Sequence, residues 1–225
     1  MRRPKCLIAL VLLLRKTPRL HVVLSGSPAG QALNEYFNQR SLGILPRTRL
    51  WRGILILPRD HAECLRGRRR QAPGTNLRRA ASAGIQCDVV ADPWRAVHDL
   101  DLVLWRRGES GTPEAQSWLN EVHAAVARVE VTIAVARNEQ GRPLGMAELI
   151  IDDTVCLIKH AMATTHDARW ALHDFIVRTL IAQRVRCLMT DGGGLFGALR
   201  FTSNVRHFQH LLGYELRHVV PVDRG

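Results

Sequence analysis

The stretch that decides the fold reads VTIAVA at residues 131–136, LGMAELII at residues 144–151 and VCLIKHAMA at residues 155–163. Each run is mainly apolar and contains β-branched residues. The breaks between the runs hold turn-forming residues, Gly141 in the first and Asp152-Asp153 in the second. Short apolar runs separated by tight turns predict strands that pair in sequence order. We therefore expect a three-stranded antiparallel meander.

The sequence after the meander alternates helix and strand. Apolar residues recur at helical spacing after Asp167, and Val185–Met189 is predicted as the next strand. Because a helix connects this strand to the third meander strand, the two are expected to run parallel. Ser203 is a candidate N-cap for a second helix, Gly213 ends it, and Glu215–Val220 is the final predicted strand. The order βββαβαβ predicts a mixed α/β sheet.

Further strands and helices are predicted before the meander. Pro73-Gly74 is expected to separate two basic helices, because proline and glycine interrupt a helix. Thr112 is a candidate N-cap, and Pro113 suits the first position of the helix that follows. The predicted strands are Leu20–Leu24, Leu50–Leu57 and Ile85–Val90, and the predicted helices are Arg59–Gly67, Thr75–Ala83, Trp94–Trp105 and Pro113–Arg128.

The net charge of +12 arises entirely in the first half of the chain. Residues 1–110 hold 20 Lys and Arg against 8 Asp and Glu, whereas residues 111–225 hold 12 of each. An arginine block predicts a surface for phosphates, whether of tRNA, other RNA or an anionic envelope surface. A coding bias towards arginine and a solvated helix face remain alternatives. The block consists of Arg66, Arg68, Arg69, Arg70, Arg78 and Arg79.

The end of the chain resembles the GNAT acyltransferase superfamily. Residues 204–215 read NVRHFQHLLGYE, similar to the Asn…Phe-Tyr-x-x-x-Gly-Phe pattern of that family's closing helix. Residues 65–85, with LRGRRR and NLRRA before Gly84-Ile85, are similar to the basic helix of the FemAB-like branch. The resemblance covers residues 60–220. It implies a GNAT-like acyl-CoA N-acyltransferase fold, with a mixed α/β sheet and a basic N-terminal extension.

The resemblance also implies a division of the chain. Residues 1–58 would be the extension. One interpretation of this extension is that it is the remnant of a second half-domain. Residues 59–225 would be the acyltransferase domain, and they include the arginine-rich helix at 59–83.

An acyl donor, normally acyl-CoA and here expected to be acetyl-CoA, is implied to lie in a notch between two splayed strands. Its pyrophosphate would meet free N–H groups at the start of the following helix, with Arg169 as a phosphate contact. The family's Gln/Arg-x-x-Gly-x-Gly/Ala loop is HDARWA here, so only Ala171 matches. This departure favours the FemAB-like branch or a loss of donor binding. The implied donor-binding residues are Thr164, Thr165, His166, Arg169, Trp170 and Ala171.

Polar residues in or beside apolar strands are the catalytic candidates. Glu148 interrupts the second meander strand, and a carboxylate buried there would have a raised pKa suited to a general base. Its alternative is an outward side chain that faces solvent or an arginine. His160 lies near the reactive centre that the resemblance implies, or is simply packed. Asp191 follows a strand as an exposed carboxylate, or serves only the turn. Gln209 stands where the family often has a tyrosine acid.

Other chemistries have weaker signals. Gly192–Gly197 matches GxGxxG, but no helix is predicted directly after it, which favours a lid or plain loop over a nicotinamide site. Five scattered cysteines without a CxxC pair predict reduced thiols in a cytoplasmic protein. No metal-ligand pattern is evident, and the apolar run Leu7–Leu14 is too short to span a bilayer.

The sequence therefore predicts an N-acyltransferase that passes an acyl group from a CoA-type donor to an amine by direct attack. One alternative is a FemAB-like transferase that uses aminoacyl-tRNA held by the basic first half. The other is a catalytically inactive module that binds nucleic acid.

Overall fold

An eight-stranded mixed sheet forms the centre of the protein, for which we use a computed structural model. The structure describes residues 18–41, 45–46, 51–64, 66, 71–128, 130–190 and 204–223. Its strands are β1 (Arg19–Leu24), β2 (Arg40–Ser41), β3 (Leu45–Pro46), β4 (Trp51–Ile56), β5 (Gln86–Val90), β6 (Thr132–Arg137), β7 (Pro143–Asp152), β8 (Val155–Ala163), β9 (Cys187–Thr190) and β10 (Glu215–Asp223). Its helices are α1 (Pro28–Asn38), α2 (His61–Cys64), α3 (Gln71–Ser82), α4 (Pro93–Arg106), α5 (Pro113–Ala127), α6 (His166–Ala182) and α7 (Asn204–Leu212).

The strands follow the order β1, β10, β4, β9, β8, β7, β6, β5 across the sheet, and β2 and β3 form a separate pair. Strands β5 to β8 pair antiparallel in sequence order, which confirms the predicted meander. β8 and β9 pair parallel, as the helical connection between them predicts. β4 pairs antiparallel with both β9 and β10, and β1 pairs parallel with β10.

Helices cover both faces of the sheet because side chains alternate along each strand. On β7, Ala147 and Leu149 belong to a core cluster with residues of α6, while Met146 packs with α4 and α5. Ile150 packs with residues of α1. Helices α1, α4 and α5 therefore lie on one face and α6 on the other, with α3 packed against α6.

The first 58 residues contribute strands to this same sheet. β1 pairs with β10 at one end, and β4 lies between β10 and β9. The predicted boundary at residue 58 stays a prediction, and it separates strands that hydrogen-bond to one another. Residues 1–17 lie outside the described part of the chain.

The prediction that Pro73-Gly74 separates two helices is wrong. Both residues lie in the first turn of α3, which begins at Gln71. Proline is tolerated there because the N–H groups of a first turn have no intrahelical acceptor. The helix before it, α2, is a single turn over His61–Cys64, shorter than predicted.

A buried carboxylate at the end of β7 fixes the turn between β1 and α1. Asp152 accepts hydrogen bonds from Ser25 N at 2.8 Å, from Ser27 Oγ at 3.0 Å and from Ser25 Oγ. Ser27 also caps α1 by accepting from Gly30 N at 3.0 Å. A Cβ atom at Gly30 would lie 2.2 Å from Ser25 O, so the backbones approach too closely for any side chain there.

We expect Asp152→Asn to lower the free energy of unfolding by about 2 kcal/mol, because an amide nitrogen would replace an acceptor that faces three donors. Asp153→Asn is the matched control, since Asp153 is exposed and its φ of 44° suits asparagine. Urea denaturation of the two variants measures the difference. Equal stability of both variants would show that this carboxylate does not hold β1 and α1 to the meander.

Candidate active site

The sheet opens where β8 and β9 part. The two strands pair over Val155–Ile158, whereas β8 continues to Ala163. Within the described residues, the last part of β8 has no strand partner on that side. A cavity of about 490 Å³, here called the notch cavity, lies at this opening. It is lined by residues 158–163 of β8, by Arg169, Leu172, His173 and Ile176 of α6, and by Arg107, Trp118, Thr190, Phe208, Gln209 and Tyr214.

A β-bulge lies in β8 beside this opening. Glu148 on β7 pairs with His160, but the next residue, Leu149, pairs with Ile158, so Lys159 is an extra residue in β8. Both Lys159 and His160 reach α5. Lys159 forms an ion pair with Glu121, and the His160 ring lies 4.8 Å from the ring of Trp118. The bulge therefore brings two successive polar side chains to the same helix.

Glu148 lies at the centre of this cluster and is only 1% exposed. Its carboxylate accepts from Trp118 Nε1 at 3.3 Å and pairs with Lys159 Nζ at 3.2 Å. The outward orientation considered from the sequence is therefore wrong, and the cationic partner is a lysine rather than an arginine. Its role as a general base stays a prediction.

Lys159 is held as a cation. Its side chain is 16% exposed. Burial alone would lower the pKa of Lys159, but the nearby carboxylates of Glu148 and Glu121 outweigh burial and raise it. A lysine held in this way supplies positive charge and is not a nucleophile.

A second cavity of about 460 Å³, here called the α1–α5 cavity, lies between α1 and α5. Lys159 and His160 line both this cavity and the notch cavity. The bulge is thus a wall common to the two cavities. The remaining polar side chains of the α1–α5 cavity are Glu35, Tyr36, Gln39, Glu121, Arg128 and Glu130.

The start of α6 lies at the end of β8. Thr165 caps the helix by accepting from Ala168 N at 3.1 Å, and Thr164 Oγ1 donates to Leu144 O at 2.9 Å. The buried indole of Trp170 donates to His166 Nε2 at 3.0 Å. Of the six predicted donor-binding residues, only Arg169 lines the notch cavity.

Three arginines, from α3, from α6 and from the end of α4, lie around the start of α6. Arg107 Nη1, after α4, donates to Ala163 O at 3.3 Å, and Arg79 of α3 pairs with Asp167 at 3.0 Å. The Arg169 guanidinium lies 5.9 Å from the Phe208 ring centre, and the described residues offer it no carboxylate. Three cations, Arg107, Lys159 and Arg169, therefore line the notch cavity, and Arg107 is paired with Glu109 at 2.7 Å.

The inner wall of the notch cavity holds a neutral pair. His173 and Tyr214 are buried and share a hydrogen bond of 2.9 Å between Nε2 and Oη. Burial lowers the pKa of His173 to about 4 and raises the pKa of Tyr214. Both groups are therefore uncharged at neutral pH.

This buried histidine predicts acid sensitivity. An unfolded histidine titrates near 6.5, so between pH 6.5 and 4 the unfolded chain binds more protons than the folded one. The free energy of unfolding should fall by up to about 3 kcal/mol as the pH drops through this window. His173→Gln should flatten the dependence, whereas His98→Gln, on the exposed face of α4, should not. Urea denaturation at a series of pH values tests this, and an unchanged profile for His173→Gln would contradict it.

The structure brings together some of the predicted catalytic and anion-binding residues and leaves others apart or outside the described part of the chain. Glu148 and His160 meet in one cluster. Arg66, Arg78 and Arg79 are exposed near α3. Asp191, Arg68, Arg69, Arg70 and the Gly192–Gly197 segment all lie outside the described residues.

Sequence reasoning missed Lys159, Trp118 and Arg107 as site residues. A signal existed for Lys159, because it is one of three lysines and forms a polar pair with His160 within an apolar strand. Trp118 lies within the predicted helix Pro113–Arg128, and nothing in the local sequence marks it as a site residue. Nothing in the local sequence distinguishes Arg107 from the other arginines.

The described residues contain no cluster of three or more His, Cys, Asp or Glu side chains arranged to hold a metal ion. None of the helices that the structure describes combines the length and hydrophobicity needed to cross a bilayer.

Solved structures of other proteins share this architecture. No protein-family model and no curated protein sequence matches the chain. Among solved structures, a conserved protein of unknown function from Bacteroides thetaiotaomicron superposes with a TM-score of 0.55 at 13% identity, over 73% of this chain and 55% of that one. FemX superposes with a TM-score of 0.52 at 8% identity, over 75% of this chain and 59% of its own. This chain has a GNAT-like fold.

A further GNAT-like match is the C-terminal domain of a putative lysylphosphatidylglycerol synthetase from Agrobacterium fabrum. Its TM-score is 0.51 at 13% identity, over 74% of this chain and 57% of that one. The predicted GNAT-like mixed α/β fold is thus confirmed, whereas the basic N-terminal extension stays a prediction. At these identities the likeness concerns the fold alone. The chain spans between 55% and 59% of the length of these three solved proteins.

Proposed function

We propose that the protein is an acyltransferase that moves an acyl group from a CoA-type thioester to an amine by direct attack. The observation that carries this proposal is the meeting of two cavities at Lys159 and His160. A donor in one cavity and an acceptor in the other would meet at the bulge of β8. Holding the two reactants together in this way supplies much of the rate enhancement of a direct transfer.

The notch cavity suits the donor. Ile158, Leu172 and Ile176 give it an apolar wall for a pantetheine arm or acyl chain. Arg107 and Arg169 supply cations for phosphate groups at its border. The capped start of α6 adds backbone N–H groups and the positive end of the helix dipole.

The α1–α5 cavity suits an amine acceptor. Glu35, Glu121 and Glu130 line it together with His160. Glu121 pairs with Lys159 and Glu130 with Arg128, so the three carboxylates outnumber the two cations of the wall by one. Carboxylates favour an ammonium ion, the form in which most amines arrive at neutral pH. The amine must then lose a proton before it attacks.

The residues at the bulge have complementary roles in this proposal. His160 takes the proton from the amine as general base, and the nitrogen then attacks the thioester carbon. The carbonyl oxygen gains negative charge, which the Lys159 ammonium stabilises. The C–S bond breaks as the C=O bond re-forms, the attacking nitrogen loses its second proton to solvent, and the donor leaves as a thiolate. Glu148 acts through Lys159, whose amine it positions.

The absence of an acid at Gln209 fits a thioester. An amide cannot donate a proton as an acid, and a thiol with a pKa of about 8.5 leaves readily as its thiolate without one. A ribose hydroxyl, the leaving group of an aminoacyl-tRNA ester, would depend more on protonation.

One observation favours aminoacyl-tRNA as a second candidate donor. Asp167 lies in the first turn of α6, where it would repel the pyrophosphate of CoA. Its ion pair with Arg79 reduces this repulsion without removing it. A tRNA donor, as in the FemAB-like branch that the sequence resembles, would leave that turn free and use other arginines.

Calorimetric titration with acetyl-CoA and longer acyl-CoAs tests the proposal. The wild-type protein should bind at least one of them saturably and release free thiol when an amine is added. Arg169→Ala should weaken binding about tenfold, the value of one charge-assisted contact. Arg178→Ala is the matched control, because Arg178 lies on the same helix, 58% exposed and outside the notch cavity.

Equal losses in the two arginine variants would argue against phosphate binding at the start of α6. If no acyl-CoA binds, the CoA-type donor is ruled out. Transfer from aminoacyl-tRNA would then support the second candidate, whereas salt-sensitive RNA binding without transfer would support an inactive nucleic-acid-binding module.

A further inference from the structure

Gln209 of α7 lines the notch cavity, and one of its polar atoms lacks a hydrogen-bond partner within the described part of the chain. The residue is only 9% exposed. Its Nε2 group donates to Thr190 Oγ1 at 3.2 Å. Its Oε1 atom is buried and has no hydrogen-bond partner among the described residues.

The orientation of this amide follows from its neighbour. Thr190 Oγ1 donates its one proton to Gly53 O at 3.4 Å, so it can only accept from Gln209. The NH₂ group of Gln209 must therefore face Thr190, and Oε1 is the atom that remains.

Other polar groups of the cavity wall do not satisfy this oxygen. His173 and Tyr214 bond to each other, and Thr190 is already engaged on both sides. Phe208, Leu172 and Ile176 are apolar. A buried acceptor is unfavourable unless a donor reaches it, and the residue that carries this oxygen lines the notch cavity.

We propose that Gln209 Oε1 accepts a hydrogen bond from an N–H group of the acyl donor and thereby selects donors that carry one. This inference rests on the proposed function and names the chemistry that the donor cavity recognises. Two donor groups share that chemistry. One is the α-ammonium of an aminoacyl group, and the other is the amide N–H of a pantetheine arm.

Three probes separate the two sources. Acetyl-CoA carries the pantetheine amides, and its analogue with methylene in place of the amide N–H nearest the sulfur lacks one of them. Glycyl-CoA adds an α-ammonium to the acetyl group. Dissociation constants for all three are measured by calorimetry with the wild-type protein, Gln209→Met and Gln209→Glu. Thermal unfolding first establishes that each variant is folded.

If the α-ammonium is recognised, wild type should bind glycyl-CoA about tenfold more tightly than acetyl-CoA. If the amide is recognised, acetyl-CoA should exceed its methylene analogue by a similar factor. Gln209→Met should abolish whichever preference exists. Gln209→Glu should increase a preference for the ammonium, because it adds an opposite charge, and should not increase one for the neutral amide.

Two results overturn the inference, and they differ in what they leave standing. If wild type binds all three probes equally, or Gln209→Met keeps the preference, the inference fails while the acyl-CoA site stands. If wild type binds none of the three, the CoA-type donor fails and the inference fails with it.

Discussion

The candidate site depends on one irregularity, the extra residue Lys159 in β8. Before it, β8 pairs regularly with β9 through Ile158; beyond it, the described residues offer no partner strand on that side. The same irregularity brings Lys159 and His160 together at α5. A regular strand would direct successive side chains to opposite faces. The bulge therefore accounts both for the shared wall of the two cavities and for the charge placed there.

The electrostatics of the site differ between its two ends. At the bulge, Lys159 lies between two carboxylates, and burial of Glu148 is tolerated because an ammonium and an indole N–H satisfy it. At the inner wall, His173 and Tyr214 are neutral because burial disfavours their charged forms. A developing negative charge would thus be stabilised near Lys159, while the inner wall offers only uncharged hydrogen-bonding groups.

Local patterns predicted much of the fold and part of the site. The meander and the helix after it follow from short apolar runs, turn residues and helical spacing. The position of β4 between β9 and β10 was not predictable, because this pairing joins residues more than 130 positions apart in sequence. The predicted helix break at Pro73-Gly74 was wrong because a helix tolerates both residues in its first turn. Glu148 and His160 were visible as polar interruptions, but the bulge and the role of Lys159 depend on strand register, which local sequence does not determine.

Whether chemistry occurs where the two cavities meet can be tested by a crystal structure of the protein with a non-hydrolysable acyl-CoA thioether. We expect the sulfur and the acyl group to lie in the notch cavity, with the acyl oxygen or its equivalent within hydrogen-bonding distance of Lys159 Nζ. The adenine and phosphates should lie towards Arg107 and Arg169. A ligand bound elsewhere, or one whose acyl group points away from the β8 bulge, would rule out transfer at the junction of the two cavities.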